Sequence, residues 1–117
     1  MKILLVDDEQ SVLNMVGSFF KGMGQEVQTA TDIKSAIAQI EAFKPILILL
    51  DLKLGEENGL EVLQYVKTHH KEIKVIVITG FNEKDTEEKI KSLGADAFTT
   101  KPIMVSTLNK LIKELMK

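Results

Sequence analysis

The sequence predicts an α/β domain, a doubly wound parallel sheet with helices on both faces. Three observations carry this. Short apolar runs alternate with longer segments of helical spacing along all 117 residues. The run Ile46-Leu47-Ile48-Leu49-Leu50 is apolar at consecutive positions, as a central strand covered on both faces is. Four runs stop at polar residues that packing does not call for, namely Asp7-Asp8, Asp51, Thr79-Gly80 and Lys101-Pro102.

The elements follow in order. Ile3 to Val6 reads as the first strand. Val12, Met15, Val16, Phe19, Phe20 and Met23 then fall at helical spacing, and Gly24 stands where a helix stops. Glu26 to Ala30 alternates polar and apolar, as a half-buried strand does. Thr31 or Asp32 can cap a second helix with Ile33, Ala36, Ile37, Ile40 and Phe43 facing inward. Pro45 separates it from the third strand. A loop from Leu52 to Asn58 leads to a third helix carrying Leu60, Leu63 and Val66, and the fourth strand is Val75 to Ile78. Asn82 to Leu93 reads as a weakly amphipathic helix in which only Ile90 and Leu93 are clearly apolar, and Gly94 ends it. A short strand through Ala97-Phe98 follows, then a last helix showing Leu108, Leu111, Ile112, Leu115 and Met116 on one face. The expected architecture is a three-layer (βα)5 sandwich of flavodoxin-like type, with sheet order 2-1-3-4-5 and residues 1–117 forming one domain.

Bulk properties bound the function. An apolar fraction of 44% and a charged fraction of 27% are ordinary for a globular domain. A formal charge of −2 argues against direct nucleic-acid binding, which favours a basic excess. Absence of cysteine excludes thiol chemistry, and no run has the ~18 apolar residues of a membrane span. The expectation is a cytoplasmic domain without a membrane partner.

In doubly wound sheets ligands bind beyond the carboxyl ends of the strands, where strand order reverses. For the order 2-1-3-4-5 that point lies between the strands ending in Asp7-Asp8 and Asp51. Three carboxylates in one crevice repel, each pair by roughly 4 kcal/mol at ~4 Å and an effective dielectric near ~20. Either one stays protonated or a cation sits among them. A small all-oxygen set suits Mg2+, with Mn2+ as the alternative ion. An aspartate can be the nucleophile in phosphoryl transfer, and Asp51, alone at the end of the central strand, is the best placed. Lys101 supplies a positive charge for phosphoryl oxygens, Thr79 a hydroxyl donor, and Gly80 leaves room beside it.

These residues resemble the response-regulator receiver domain of two-component signalling, the group that includes the chemotaxis regulator. Asp7-Asp8 match its acidic pair, Asp51 its phosphoacceptor, Thr79 its switch hydroxyl, Lys101-Pro102 its Lys-Pro, Phe98 its switch aromatic and Gly59 its loop glycine. The resemblance covers essentially the whole chain. It implies phosphorylation of Asp51 by a sensor histidine kinase or phosphotransfer protein, with Mg2+ held by Asp8, Asp51 and the Lys53 backbone carbonyl, and by Asp7 through water. It implies a cis Lys101-Pro102 bond. It also implies a switch in which Thr79 moves inward, Phe98 rotates, and the face of the fourth helix, fifth strand and fifth helix changes for an output partner or a missing effector domain. The domain would be a monomer or a phosphorylation-dependent dimer, and no enzyme beyond its own phosphorylation and dephosphorylation. Gly55 departs from the family's usual proline. Lys53 and Phe81 fall at variable positions that tune phosphoryl lifetime, and Lys53 is a candidate partner for a carboxylate when no metal is bound.

Simpler readings stand beside these. Asp7-Asp8 alone would serve as a helix cap, Thr79 as a strand-end residue, Lys101 as a surface lysine and Phe98 as core. His69-His70 read as a solvated helix end, since adjacent residues do not share a helix face, and Glu83 to Lys91 as an exposed charged face. Rival functions are an aspartate-nucleophile phosphatase, a flavin-binding domain, and a pseudo-receiver that binds partners without being phosphorylated. Lys53 stands where the phosphatase wants its acid, and Asp7-Asp8-Glu9 would repel a flavin phosphate.

Overall fold

The computed structural model describes residues 1–80 and 84–117. The elements are β1 (Lys2–Val6), α1 (Gln10–Gly22), β2 (Glu26–Ala30), α2 (Ile33–Phe43), β3 (Leu47–Asp51), β4 (Lys53–Leu54), β5 (Glu57–Asn58), α3 (Leu60–His69), β6 (Lys74–Thr79), α4 (Lys84–Ser92), β7 (Ala97–Thr100) and α5 (Val105–Leu115). The main sheet has five strands in the order β2-β1-β3-β6-β7, every neighbouring pair parallel. With the short β4/β5 pair set aside, this is the expected 2-1-3-4-5. The expected start of the fourth helix at Asn82, and Phe81 before it, lie outside the described residues.

Period-two alternation sorts the strand residues into two cores. Leu4, Val6, Ile48, Leu50, Val75 and Val77 face one side, against Ala36 and Ile40 of α2, Leu60, Val62, Leu63 and Val66 of α3, and Ile90 of α4. Ile3, Leu5, Leu47, Leu49, Ile76 and Ile78 face the other, against Leu13, Val16 and Phe20 of α1 and Leu108 and Ile112 of α5. A fully covered aliphatic side chain of this kind contributes roughly 1.5–3 kcal/mol. Helices on both sides of a parallel sheet make β1, β3 and β6 buried on both faces, which is why their sequences run apolar without interruption.

Local chemistry sets the helix ends. Asp32 caps α2 by accepting from the Ser35 N–H at 2.7 Å, while the Ser35 hydroxyl takes the Asp32 N–H, a reciprocal capping box. Gly94 ends the α4 segment at φ +99°, a left-handed conformation suited to glycine. The Lys101–Pro102 bond is cis, as expected.

Three expectations need correction. Met15 of α1 and Met23 at its C-cap are exposed, at 50% and 45%; of the expected set Val16 and Phe20 are buried, and Leu13 and Gly17 join them on the inward stripe. The two stripes are adjacent on the helix, and the apolar spacing alone did not choose between them. Ile46 precedes β3 and is 42% exposed. The loop after Asp51 holds a two-residue antiparallel ladder, Lys53 opposite Asn58 and Leu54 opposite Glu57.

The edge of the sheet away from the strand ends is tied by Asp96. Its Oδ2 accepts from the Val75 N–H at 2.8 Å and from Lys67 Nζ at 2.8 Å, and Lys67 also donates to the Ile73 carbonyl at 2.8 Å. These groups are mostly covered, so truncation leaves two donors without their acceptor. Asp96→Ala is expected to lower unfolding stability by about 1–3 kcal/mol in a urea titration, with an unchanged fold by circular dichroism.

Candidate functional site

Sheet register brings the polar strand ends together. Asp51, the last residue of β3, lies opposite Ile78, one residue before Thr79; Thr79 in turn lies opposite Thr100, one residue before Lys101. The three thus advance one residue per strand along the carboxyl edge. On the other flank of β3, the β1 strand ends at Val6 opposite Leu50, so Asp7 and Asp8 follow at the same level.

Asp7, Asp8 and Asp51 each offer a carboxylate oxygen, and these oxygens lie within 4.8 Å of one another. Asp7 and Asp51 are buried, at 4% and 2% exposure, while Asp8 is exposed. Each takes a backbone N–H. Asp7 Oδ1 accepts from Glu9 at 2.9 Å, Asp51 Oδ1 from Lys53 at 3.1 Å, and Asp8 Oδ2 from Gly55 at 3.0 Å. Lys101 Nζ donates to Asp51 Oδ2 at 2.8 Å and stands 3.8 Å from Glu9 Oε1. Thr79 is buried at the end of β6, and its carbonyl accepts from the Lys101 N–H at 2.8 Å. An open cleft of about 640 Å³ is lined by Asp51, Lys53, Thr79, Gly80, Lys89 and Lys101, among others.

The charges disturb one another. Asp7 is pushed up from 3.8 to about 6, first by burial, opposed by its Glu9 hydrogen bond, and then by the charges of Asp51 and Asp8. Burial alone would lower the Lys101 ammonium, but its hydrogen bond to Asp51 and the charges of Asp51, Asp7 and Glu9 outweigh this and raise it. Lys101 is therefore held as the cation of the site.

Gly59 fixes the way out of β3. A Cβ there would stand 2.5 Å from the Asp51 carbonyl oxygen and 2.9 Å from Leu52 Cα, both backbone atoms. Its N–H donates to the Leu52 carbonyl at 2.7 Å, folding the chain back directly behind Asp51. Only glycine permits that approach.

The family model of the response regulator receiver domain matches residues 3–113. The chain belongs to that family. Among its relatives is the alkaline phosphatase synthesis transcriptional regulatory protein PhoP of Bacillus subtilis, 31% identical over 99% of this chain and 48% of the relative. Sporulation initiation phosphotransferase F of the same organism is 29% identical over 98% of this chain and 93% of the relative. The crystal structure of a CheY-like response regulator receiver domain protein from Methanospirillum hungatei superposes with a TM-score of 0.92 at 30% identity, covering 98% of this chain and 92% of that one. The chain thus spans about half the length of PhoP but nearly all of the phosphotransferase.

The fold brings the expected acidic, hydroxyl and lysine residues to one edge of the sheet. Asp7, Asp8, Asp51, Thr79 and Lys101 converge, and the Lys53 backbone adjoins Asp51. Phe98 sits on β7, half-buried against the core that contains Ile90. One expectation is not met: the ammonium bonded to Asp51 is that of Lys101, and the Lys53 side chain is exposed. Glu9 stands at the N-cap position of α1 without a side-chain capping bond and approaches Lys101, a placement that its expected role as a repelling charge does not include. Gly55 was noted only as a departure, and its φ of +64° and its bond to Asp8 depend on a turn the loop composition did not reveal. His70 is more than a solvated end, since its Nε2 lies 2.6 Å from Glu41 Oε2, an oxygen that also accepts from the Tyr65 hydroxyl.

The raised Asp7 gives a pH signature. The folded state binds its proton more tightly than the unfolded chain, so this contribution to stability is complete below about pH 4 and lost as pH rises through about 6. In a chelator, Asp7→Asn is expected to match wild type near pH 4 and to exceed it by about 1–2 kcal/mol at neutral pH, after solvent screening in the open cleft. Thermal or urea unfolding across that range checks it.

Proposed function

We propose that this receiver is a phosphorylation switch whose acceptor is Asp51. The observation that carries the reading is the pairing of Asp51, 2% exposed, with Lys101 at 2.8 Å at the mouth of an open cleft, with Asp7 and Asp8 alongside. A buried carboxylate with one oxygen on a backbone amide and one on an ammonium is oriented and available to a donor entering the cleft.

The donor is a phosphohistidine on a sensor kinase or a phosphotransfer protein. An Asp51 oxygen forms the new O–P bond as the P–N bond breaks, and the imidazole nitrogen leaves with the electron pair and takes a proton from solvent. Lys101 then follows the charge from the carboxylate to a phosphoryl oxygen, and the Thr79 hydroxyl donates to another. The donor set, three carboxylates within 4.8 Å, fits a hard divalent cation such as Mg2+, which Asp8, Asp51 and the Lys53 carbonyl would hold with Asp7 beside them. Such an ion, when bound, neutralises the carboxylates and the incoming phosphoryl charge. The residues themselves position the acceptor, exclude bulk on the sheet side, and supply the fixed cation.

A docking face for the donor adjoins the site. The chain runs from Lys101-Pro102 directly into Ile103 and Met104, which line an apolar groove with Met15 and Phe19 of α1; Met15 and Met104 are 50% and 59% exposed. An apolar surface next to the acceptor suits a helical partner presenting its histidine. The chemistry is confined to gain and loss of the chain's own phosphoryl group, with no other substrate turned over. The described residues include no helix long and apolar enough to cross a membrane.

Incubation with Mg2+ and acetyl phosphate, read by intact mass, tests the acceptor. Wild type is expected to gain one phosphoryl group labile to hydroxylamine, and Asp51→Asn none. Failure of wild type to gain mass while still binding Mg2+ would favour a pseudo-receiver acting through partner binding alone.

The switch has its own test. Thr79→Ala is expected to accept the phosphoryl group but to lose most of the phosphorylation-dependent change in amide chemical shifts of β7 and α5. An undiminished change would remove Thr79 from the response.

A further inference from the structure

The three carboxylates differ in what orients them. Asp7 and Asp51 each accept an N–H from two residues further along the chain, so both are held by their own strand ends. Asp8, the exposed one, accepts from the Gly55 N–H, 47 residues away in sequence. Gly55 sits at the turn between β4 and β5, with φ +64°. The orientation of Asp8 therefore depends on where this small hairpin stands.

The hairpin is a weak structure taken alone. Its ladder has two residue pairs, far short of what holds an isolated hairpin together in water. Leu54 is buried and pins the first strand, but Glu57 and Asn58 of the second are exposed. The base of the outer strand is held by the Gly59 N–H on the Leu52 carbonyl and by the Leu60 N–H on Asn58 Oδ1. Its link to the rest of the fold near the turn is Glu57, whose Oε1 accepts from the N–H of Ile33 at 2.9 Å. Ile33 is the first residue of α2. The capping residue Asp32 is engaged with the Ser35 N–H, so the Ile33 amide is open to an outside acceptor, and a carboxylate is favoured at a helix N-terminus.

We propose that Glu57 is a positioning residue for the cation site: by anchoring the β4–β5 hairpin to the N-terminus of α2, it keeps the Gly55 N–H on Asp8. The inference rests on the reading of the three carboxylates as a Mg2+ site. A carboxylate ligand whose outer hydrogen bond fixes its plane binds metal more tightly than one free to rotate, and losing such a bond costs roughly 10- to 100-fold in affinity. Glu57 acts one step further out, through the hairpin, so roughly a 3- to 10-fold loss is expected when it is truncated.

Titration with MgCl2, followed by amide chemical shifts, tests this for wild type, Glu57→Ala, Glu57→Gln and Glu56→Ala. Glu57→Ala should weaken Mg2+ several-fold and speed hydrogen exchange at the Gly55 amide, with little change in the melting temperature in chelator. Glu57→Gln keeps an acceptor oxygen for the Ile33 N–H and should stay near wild type. Glu56→Ala removes the same charge from the same exposed turn and should also stay near wild type. Equal Mg2+ affinity in Glu57→Ala and wild type would overturn the proposal, as would an equal loss in all three variants, which is the mark of charge alone. Failure of wild type to bind Mg2+ would overturn the cation reading itself, whatever the Gly55 exchange rates are.

Discussion

The rest of the site answers to the mutual repulsion of three carboxylates set at the ends of two adjacent strands. Their oxygens lie within 4.8 Å, and each close pair is unfavourable by roughly 4 kcal/mol at an effective dielectric near ~20. The protein offsets this with small, fixed contributions. Each carboxylate receives one backbone N–H, Asp51 also receives the Lys101 ammonium, and Asp7 holds its proton more firmly than an ordinary aspartate. The single ammonium bonded to the cluster, Lys101, does not balance three acids and Glu9. The residual negative charge favours an added cation.

The geometry that concentrates this charge comes from the parallel sheet. Parallel pairing aligns all carboxyl ends on one side, and the reversal of strand order between β1 and β3 leaves a crevice there that no crossover helix fills. The register steps Asp51, Thr79 and Lys101 along that side one residue at a time, so a single-residue slip of β6 or β7 would separate the proposed acceptor from its hydroxyl and its cation. Burial on both faces of β3 and β6 makes such a slip costly. The apolar core therefore does more than stabilise the domain: it fixes distances at an edge that has little apolar packing of its own.

Much of this was legible in the sequence. Uninterrupted apolar runs with polar stops gave the sheet, its doubly covered strands and the edge residues Asp7, Asp8, Asp51, Thr79 and Lys101, because burial and strand termination both leave marks at single positions. The inward face of α1 was harder. Its apolar residues fill two adjacent stripes, and only the packed structure separates Leu13, Val16 and Phe20 from the exposed Met15 and Met23. The hairpin after Asp51 was not legible, since two-residue strands have no periodicity to read, and its anchors are a backbone amide at Gly55 and a surface carboxylate at Glu57. Contacts made by backbone groups across long sequence separations are those that composition and spacing do not encode.

The proposed switch would need an element whose position is not over-determined, and the packing is uneven in a way that suits one. β7 is half-covered along its whole length, whereas β1, β3 and β6 are almost wholly buried. Among the described residues of α4, Ile90 alone is buried, with Leu93 partly so just beyond its end. Phe98 lies half-buried against the same core as Ile90, so a change at Thr79 in the neighbouring strand has an aromatic side chain within reach. Moving such an equilibrium from 1:99 to 99:1 takes roughly 5.5 kcal/mol of differential stabilisation. On the proposed reading a covalent dianion at Asp51 would keep Lys101 and draw in the Thr79 hydroxyl, a charge-assisted bond of roughly 1.5–3 kcal/mol that contributes part of that difference. The central strands β1, β3 and β6 are too well packed to respond, so on the proposed reading a change at Asp51 would pass to the flank formed by β7 and α4.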